Sequence, residues 1–279
     1  MSLLLLMDDG GNVGPLDLAS GGVAAYGLRR LRSGYQGPLV NVRRSSDNAQ
    51  RDFPPLTSGD FPAASFADFI GGGTGAVTKW YDQTGNANDA VQPTAGNQPS
   101  IIVTASINGK GAVSFDGANG YLTLTNTLFS AFAAMGCAVV IKSSDAGTKF
   151  IFAKNDGVSQ FAQMLTSGGN TVTTDLTNAS SVDVGVSVTG TIMNGVAHTL
   201  GINWDGVTLT PSLDGVAGTG AALAGPLLTG ATATVIGSRT AHDLKYNGLM
   251  SELIFFSSAL SVASRAALQA SQKTYWGTT

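Results

Sequence analysis

Residues 80–93 read WYDQTGNANDAVQP and gather two aromatics, two aspartates, two glutamines and two asparagines into one short stretch. Such a set can bind a sugar. Trp80 or Tyr81 would stack on a pyranose face while Asp82 and Gln83 grip its hydroxyls, since carbohydrate recognition needs flat aromatic faces beside fixed polar groups. The same residues have a plainer use. A strand, AVTKWY, would run into a turn whose Asp and Asn side chains bond the local backbone, and this architectural role is the favoured one. A second polar run, GSRTAHDLKYNG at 237–248, adds His242, Asp243 and Tyr246 as carbohydrate-contact candidates.

Other kinds of chemistry have little to work with. Of 18 acidic residues, 17 are aspartate, which leaves Glu252 as the one glutamate. It lies in the apolar run MSELIFF, where no accessible nucleophile is expected, and no residue is assigned a catalytic role. No His, Cys, Asp or Glu cluster has a transition-metal spacing, so no metal or cofactor is expected. Calcium would find loop oxygens at Asp116, Asn119, Asp156 and Asp243. GGGTG at 71–75 has no strand before it and no Lys-Ser/Thr after it, so it is not a phosphate loop. His198, in GVAHTLGINW, reads as a packing residue at a strand start. Cys137, in GCAVVI, reads as a buried inert thiol, and as a lone cysteine it excludes an intrachain disulfide. Arg29, Arg30, Arg32, Arg43, Arg44 and Arg51 sit near Asp47 and Asp52. They read as pairing with carboxylates and carbonyls, the alternative being a face for an acidic polysaccharide or a partner subunit.

The elements that must hold these residues follow from composition. Charged residues are 12% of the chain, about half the usual share, and 37 residues are glycine. Strands and turns suit that mixture better than surface helices. A net charge of −3 gives no reason to expect a nucleic-acid partner. No stretch approaches the roughly 18 apolar residues of a membrane span. A short helix is expected over 24–33, a strand in GPLVNVRR and a helix in SFADFIGG. From residue 100 onward, SIIVTA, AVSFDG, YLTLTN, GCAVVIKS, KFIFAK, QFAQMLT, HTLGINWDG, TLTPSLDG, ATVIGS and SELIFFSS punctuate the chain as short strands. That spacing indicates an all-β antiparallel sandwich. Only the tail, SVASRAALQASQKTYW, reads as a helix, with Ser261 as N-cap.

These segments are similar to known families. VSFDGANGYLTL, NGVAHTLGINWDGVTLTPSLDG and GLMSELIFFSSALSVASRAAL resemble the laminin-G-like, concanavalin A-like jelly roll over about 105–279. AAYGLRRLRSGYQGPLVNVRRSSDNAQRDF, WYDQTGNANDAVQP and the late YNGLMSE resemble the catalytic domain of fungal-type α-L-arabinofuranosidase B. The same assembly also resembles bacteriophage tail and other virion proteins. The resemblance implies one jelly roll over 22–279, with region 22–100 packed on 101–279. It also implies a glutamate nucleophile in mid-chain. Between 138 and 156 this sequence offers Asp145 and Asp156 instead, and near the family's acid it offers Asp243, with Asn247 where another glutamate tends to stand.

The N-terminal MSLLLLMDDGG lacks the basic start and long apolar region of a signal peptide. Leu3, Leu4, Leu5, Leu6 and Met7, within an arm over 1–21, are therefore expected to dock on a partner. Together these features lead to a virion structural protein of a tailed phage, made in the host cytoplasm and not an enzyme. It would be a homo-oligomer, a trimer by preference, held to other virion subunits by its arm and facing host-surface polysaccharide. The alternatives are an arabinofuranosidase-type glycoside hydrolase using two aspartates and a purely architectural jelly roll.

Overall fold

A computed structural model of the chain describes residues 13–155, 160–168 and 170–279. The arm expected at Leu3–Met7 and the loop residue Asp156 lie outside the described residues. In chain order the first part supplies α1 (Pro15–Leu18), β1 (Gly22–Gly27), β2 (Val40–Arg44), β3 (Gln50–Phe53), α2 (Ala63–Ile70), β4 (Gly75–Trp80) and β5 (Ala90–Val91). The middle supplies β6 (Ser100–Ile107), β7 (Lys110–Asp116), β8 (Leu122–Leu124), β9 (Met135–Lys142), β10 (Lys149–Asn155), β11 (Gln160–Ser167), β12 (Thr171–Thr177) and β13 (Asp183–Thr189). The last part supplies β14 (Ala197–Trp204), β15 (Thr208–Leu213), β16 (Val216–Ala217), β17 (Ala221–Ala222), β18 (Val235–Ile236), β19 (Asn247–Phe256) and α3 (Val262–Trp276). The all-β class expected from composition stands, and among the described residues no helix is long and apolar enough to cross a membrane.

Two helices obey their end signals. Gly71 closes α2 at φ +56°, a conformation that glycine adopts without strain. Ser261 opens α3, its Oγ accepting from the Ser264 amide at 3.0 Å. The helix expected over 24–33 is not there. Ala24, Ala25, Tyr26 and Leu28 are all buried, and β1 pairs antiparallel with β19, Gly22 opposite Phe256 and Gly27 opposite Glu252. Residues buried on both faces satisfy a strand inside a sheet better than a helix with one apolar stripe. β12 and β13 also stand where no strand is foreseen.

β19 is the hinge of the topology. Its second half lies between β1 and β9, with Glu252 opposite Val140 and Phe256 opposite Gly136, while Asn247–Met250 pairs with β7. β9 continues to β14, and β14 to β15. β10 to β13 pair in succession, and β18, β8, β5 and β4 connect them to β2 and β3. The result is one continuous antiparallel network. It folds over a large cluster in which Val139, Leu200 and Ile202 meet Met164, Val172, Val186 and Val188, and a smaller one under α3 holds Ala138, Ile254, Phe256, Leu260 and Leu268. Tyr26, Leu39, Val40, Val42 and Trp80 from the N-terminal region join the large cluster.

Candidate active site

The WYDQTGNAND corner is the first sequence-derived candidate, and its side chains point into the fold. Trp80 is fully buried against Tyr26, ring centroids 5.7 Å apart. Asp82 accepts from the amides of Ala25 (2.9 Å), Thr84 (2.9 Å) and Asn88 (3.1 Å), and from Thr84 Oγ1. Gln83 accepts from the Leu31 amide at 2.8 Å and donates to the carbonyls of Gly27 and Arg29. Asn88 donates to the Val23 carbonyl at 2.6 Å. Together they occupy the edge of β1 that β19 does not pair, closing backbone groups that an open edge would expose. Tyr81 is different. It is half-buried, with its hydroxyl donating to Asp52 at 2.9 Å and Lys79 Nζ 4.9 Å from its ring.

The second candidate run divides. Tyr246 is buried in the core beside Phe115. His242 stacks on Tyr121 at 4.0 Å, and burial, then the Lys245 ammonium, hold it below its ordinary pKa. Asp243 is paired with Arg239, whose guanidinium keeps the carboxyl below the usual range. Asp145 is likewise held down by the Gly147 amide and the Asn247 side chain. Asp116 spends one oxygen on the amides of Ala118, Asn119 and Gly120. The loop oxygens considered for calcium are thus already engaged at Asp116 and Asp243. His198 is buried between Asp214 (2.7 Å) and Asn194 (3.2 Å). Arg32, Arg43 and Arg44 spend donors on Thr84, Gln98 and Asp47 within the chain.

Glu252 is fully buried. Its Oε2 accepts from Arg29 Nε and Trp276 Nε1, both at 2.8 Å, and its Oε1 from Gln272 Nε2 at 3.0 Å. A carboxylate so enclosed binds α3 to the sheet and is closed to substrate.

The arrangement with the chemistry of an acid lies on β11, which the sequence foresees as a strand, and on β12 and β13, which it does not. Gln163 of β11, Asp175 of β12 and Gly185 of β13 stand opposite one another in register. They face away from the core side chains Met164, Val172, Leu176 and Val186. Gln163 donates to Asp175 Oδ2 at 2.9 Å and receives a bond from Asn155, which in turn is bonded by Thr240. Burial raises the Asp175 carboxyl pKa, and the nearby charge of Asp183 raises it further. Asp183 faces the same side, opposite Thr177, whose hydroxyl bonds it at 3.1 Å. It is therefore the diagonal neighbour of Asp175, about 7–8 Å away at the backbone. Gly185 makes room for the Asp175 carboxyl, since a Cβ there would lie 2.5 Å from Asp175 Oδ1. The signal for this site was the alternation of TVTTDLT, Asp175 falling among its outward positions.

Comparison with known proteins bears on the first half of the chain and on the fold. Residues 18–152 match the family model described as "Alpha-L-arabinofuranosidase B, catalytic". A probable alpha-L-arabinofuranosidase B of Aspergillus fumigatus is 42% identical over 89 residues, covering 30% of this chain and 18% of that protein. Alpha-L-arabinofuranosidase B of Emericella nidulans is 40% identical over 96 residues, 32% of this chain and 19% of that protein. The chain thus spans about a fifth of the length of these relatives. The crystal structure of an arabinofuranosidase complexed with arabinofuranosyl-alpha-1,2-xylobiose aligns with TM-score 0.70 at 18% identity, over 93% of this chain and 64% of that one. The binding domain of Paraclostridial Mosquitocidal Protein 1 aligns with TM-score 0.56 at 11% identity, over 87% of this chain and 55% of that one.

These findings support the arabinofuranosidase-domain resemblance and overturn the virion reading. The matched family model is a catalytic domain and the curated relatives are arabinofuranosidases. Placement in a phage tail or spike, other virion subunits and a virion trimer as partners, residence in a virion, and the expectation of a non-enzyme are all corrected by them. The virion reading rested on a shared scaffold, on the missing mid-chain glutamate and on the apolar arm, and a scaffold by itself does not specify what a chain does.

Proposed function

We propose that this chain is a glycoside hydrolase of the arabinofuranosidase type, acting on furanosyl substituents with Asp175 and Asp183 as its carboxyl pair. One observation carries the reading: a half-buried carboxyl whose pKa burial raises stands diagonal to a second carboxyl group on the same sheet face, in a fold shared with arabinofuranosidases. Asp175 would give its proton to the leaving oxygen as the glycosidic C–O bond breaks, and the Asp183 carboxylate would take a proton from the water that attacks the anomeric carbon. The two residues are diagonal neighbours on adjacent strands with their side chains on one face of the sheet, the placement that lets two carboxyl groups meet one sugar ring, and such chemistry needs no cofactor. Gln163 and the Asn155–Thr240 chain fix the Asp175 rotamer. The same reading takes residues 22–279 as one jelly-roll body, supported by the hydrophobic cluster that runs from Ala24 to Trp276.

The test is turnover of 4-nitrophenyl α-L-arabinofuranoside by the full chain. Asp175→Asn and Asp183→Asn are each expected to lower kcat at least about 10²-fold. The native activity should fall as pH rises through the raised Asp175 value, because the acid then loses its proton. A folded chain without turnover, or turnover indifferent to both substitutions, rejects the assignment.

A further inference from the structure

α3 lies across the outer face of β9, β14 and β15 and leaves a cavity of about 260 Å³ beneath it. The floor is a row of small residues in register across three strands, Ala138, Gly201 and Ser212. Gly201 keeps the floor low, for a Cβ there would lie 2.7 Å from Ser212 Oγ. From the helix side Gln272 lines the same cavity, and it is fully buried. Its orientation is fixed, because Nε2 must donate to the acceptor-only carboxylate of Glu252. Gln272 Oε1 is left buried with no partner. A buried carbonyl without a donor is costly, so this one marks a place where a donor belongs.

The chemistry of that donor can be narrowed. Among the described residues the lining holds no carboxylate and no aromatic ring, and its one charged residue is Arg265. An anion would meet the Gln272 carbonyl oxygen unfavourably, and an apolar guest would leave it unsatisfied. The volume exceeds that of a cavity of about 150 Å³ that admits benzene, and falls just short of the roughly 300 Å³ at which drug-sized sites begin. We propose that this cavity binds a neutral polyol of monosaccharide size, one hydroxyl donating to Gln272 Oε1 and others meeting Thr210, Ser212 and Gln269. The site shares no residue with the Asp175 centre and does not rest on the hydrolase reading.

Calorimetric titration of the full chain with xylitol, L-arabinose and benzene tests it. Saturable binding of at least one polyol is expected, with Kd of roughly 1 mM or tighter, together with a rise in Tm. Backbone amide shifts should move across 199–203 and 265–272. Gln272→Leu should weaken binding at least about tenfold. That variant also removes a donor from Glu252, so Ser212→Leu, which fills the cavity and leaves the Gln272–Glu252 bond in place, provides the second measure and should abolish binding. Asp175→Asn should bind as the native chain does. No saturable polyol binding, meaning water only in the cavity, would overturn the proposal, as would binding that survives Ser212→Leu or a preference for benzene.

Discussion

Removing the negative charge of Glu252 would leave the Arg29 guanidinium buried beside Tyr275 and Trp276 with its counter-charge gone. Glu252→Gln is therefore expected to destabilise the fold by about 3–5 kcal/mol, measured by urea denaturation; a loss below about 1 kcal/mol would refute the enclosed-pair account. The WYDQ corner gives a paired contrast. Asp82→Ala strips a buried acceptor from three amides and a hydroxyl, each loss on the order of 1–3 kcal/mol before relaxation. Tyr81→Phe removes one solvent-facing bond to Asp52, worth about 0.5–1.5 kcal/mol. Equal melting shifts for the two variants would show that the corner is not holding the edge of β1.

At the scale of elements, the placement of the Asp175 carboxyl depends on a missing side chain. Gly185→Ala would drive a methyl to 2.5 Å from Asp175 Oδ1. On an exposed strand position the fold should survive with a loss of about 1 kcal/mol or less, while kcat falls; unchanged kinetics would place the chemistry elsewhere. Much of the element order was legible. α2, α3 and the later strands follow from glycine punctuation, the Ser261 cap and period-two apolar runs. β1 was misread because Arg29, Arg30 and Arg32 around Leu28 and Leu31 imitate an amphipathic stripe. β12 and β13 were overlooked because their outward positions carry Thr, Asp, Gly and Ser, which also spell loop. The carboxyl pair could not be foreseen, since Asp175 and Asp183 become neighbours only through strand register. The folding role of Asp82, by contrast, was readable from its turn chemistry.

For the molecule as a whole, acid should act through a few anchored carboxylates. Asp116, held by three loop amides, and Asp47, held by Arg44, both have pKa values lowered from 3.8 to about 2. A depressed carboxyl stabilises the fold above its unfolded value and loses that contribution as pH falls toward its folded one. Tm should therefore drop between about pH 4 and pH 2, and Asp116→Asn should flatten that slope; an unaltered slope would remove this loop from the account. The central place of β19 has a consequence for biosynthesis. Gly22 must wait for Phe256, and at roughly 5–20 residues per second the ribosome keeps it waiting on the order of ten seconds or more. In that interval the nascent chain already carries residues 82–88, which can blunt one margin of the first strand before its true neighbour has been translated. A message truncated ahead of residue 247 yields a polypeptide with β1, β7 and β9 all lacking their common partner, a substrate for chaperones and proteases rather than a smaller working protein.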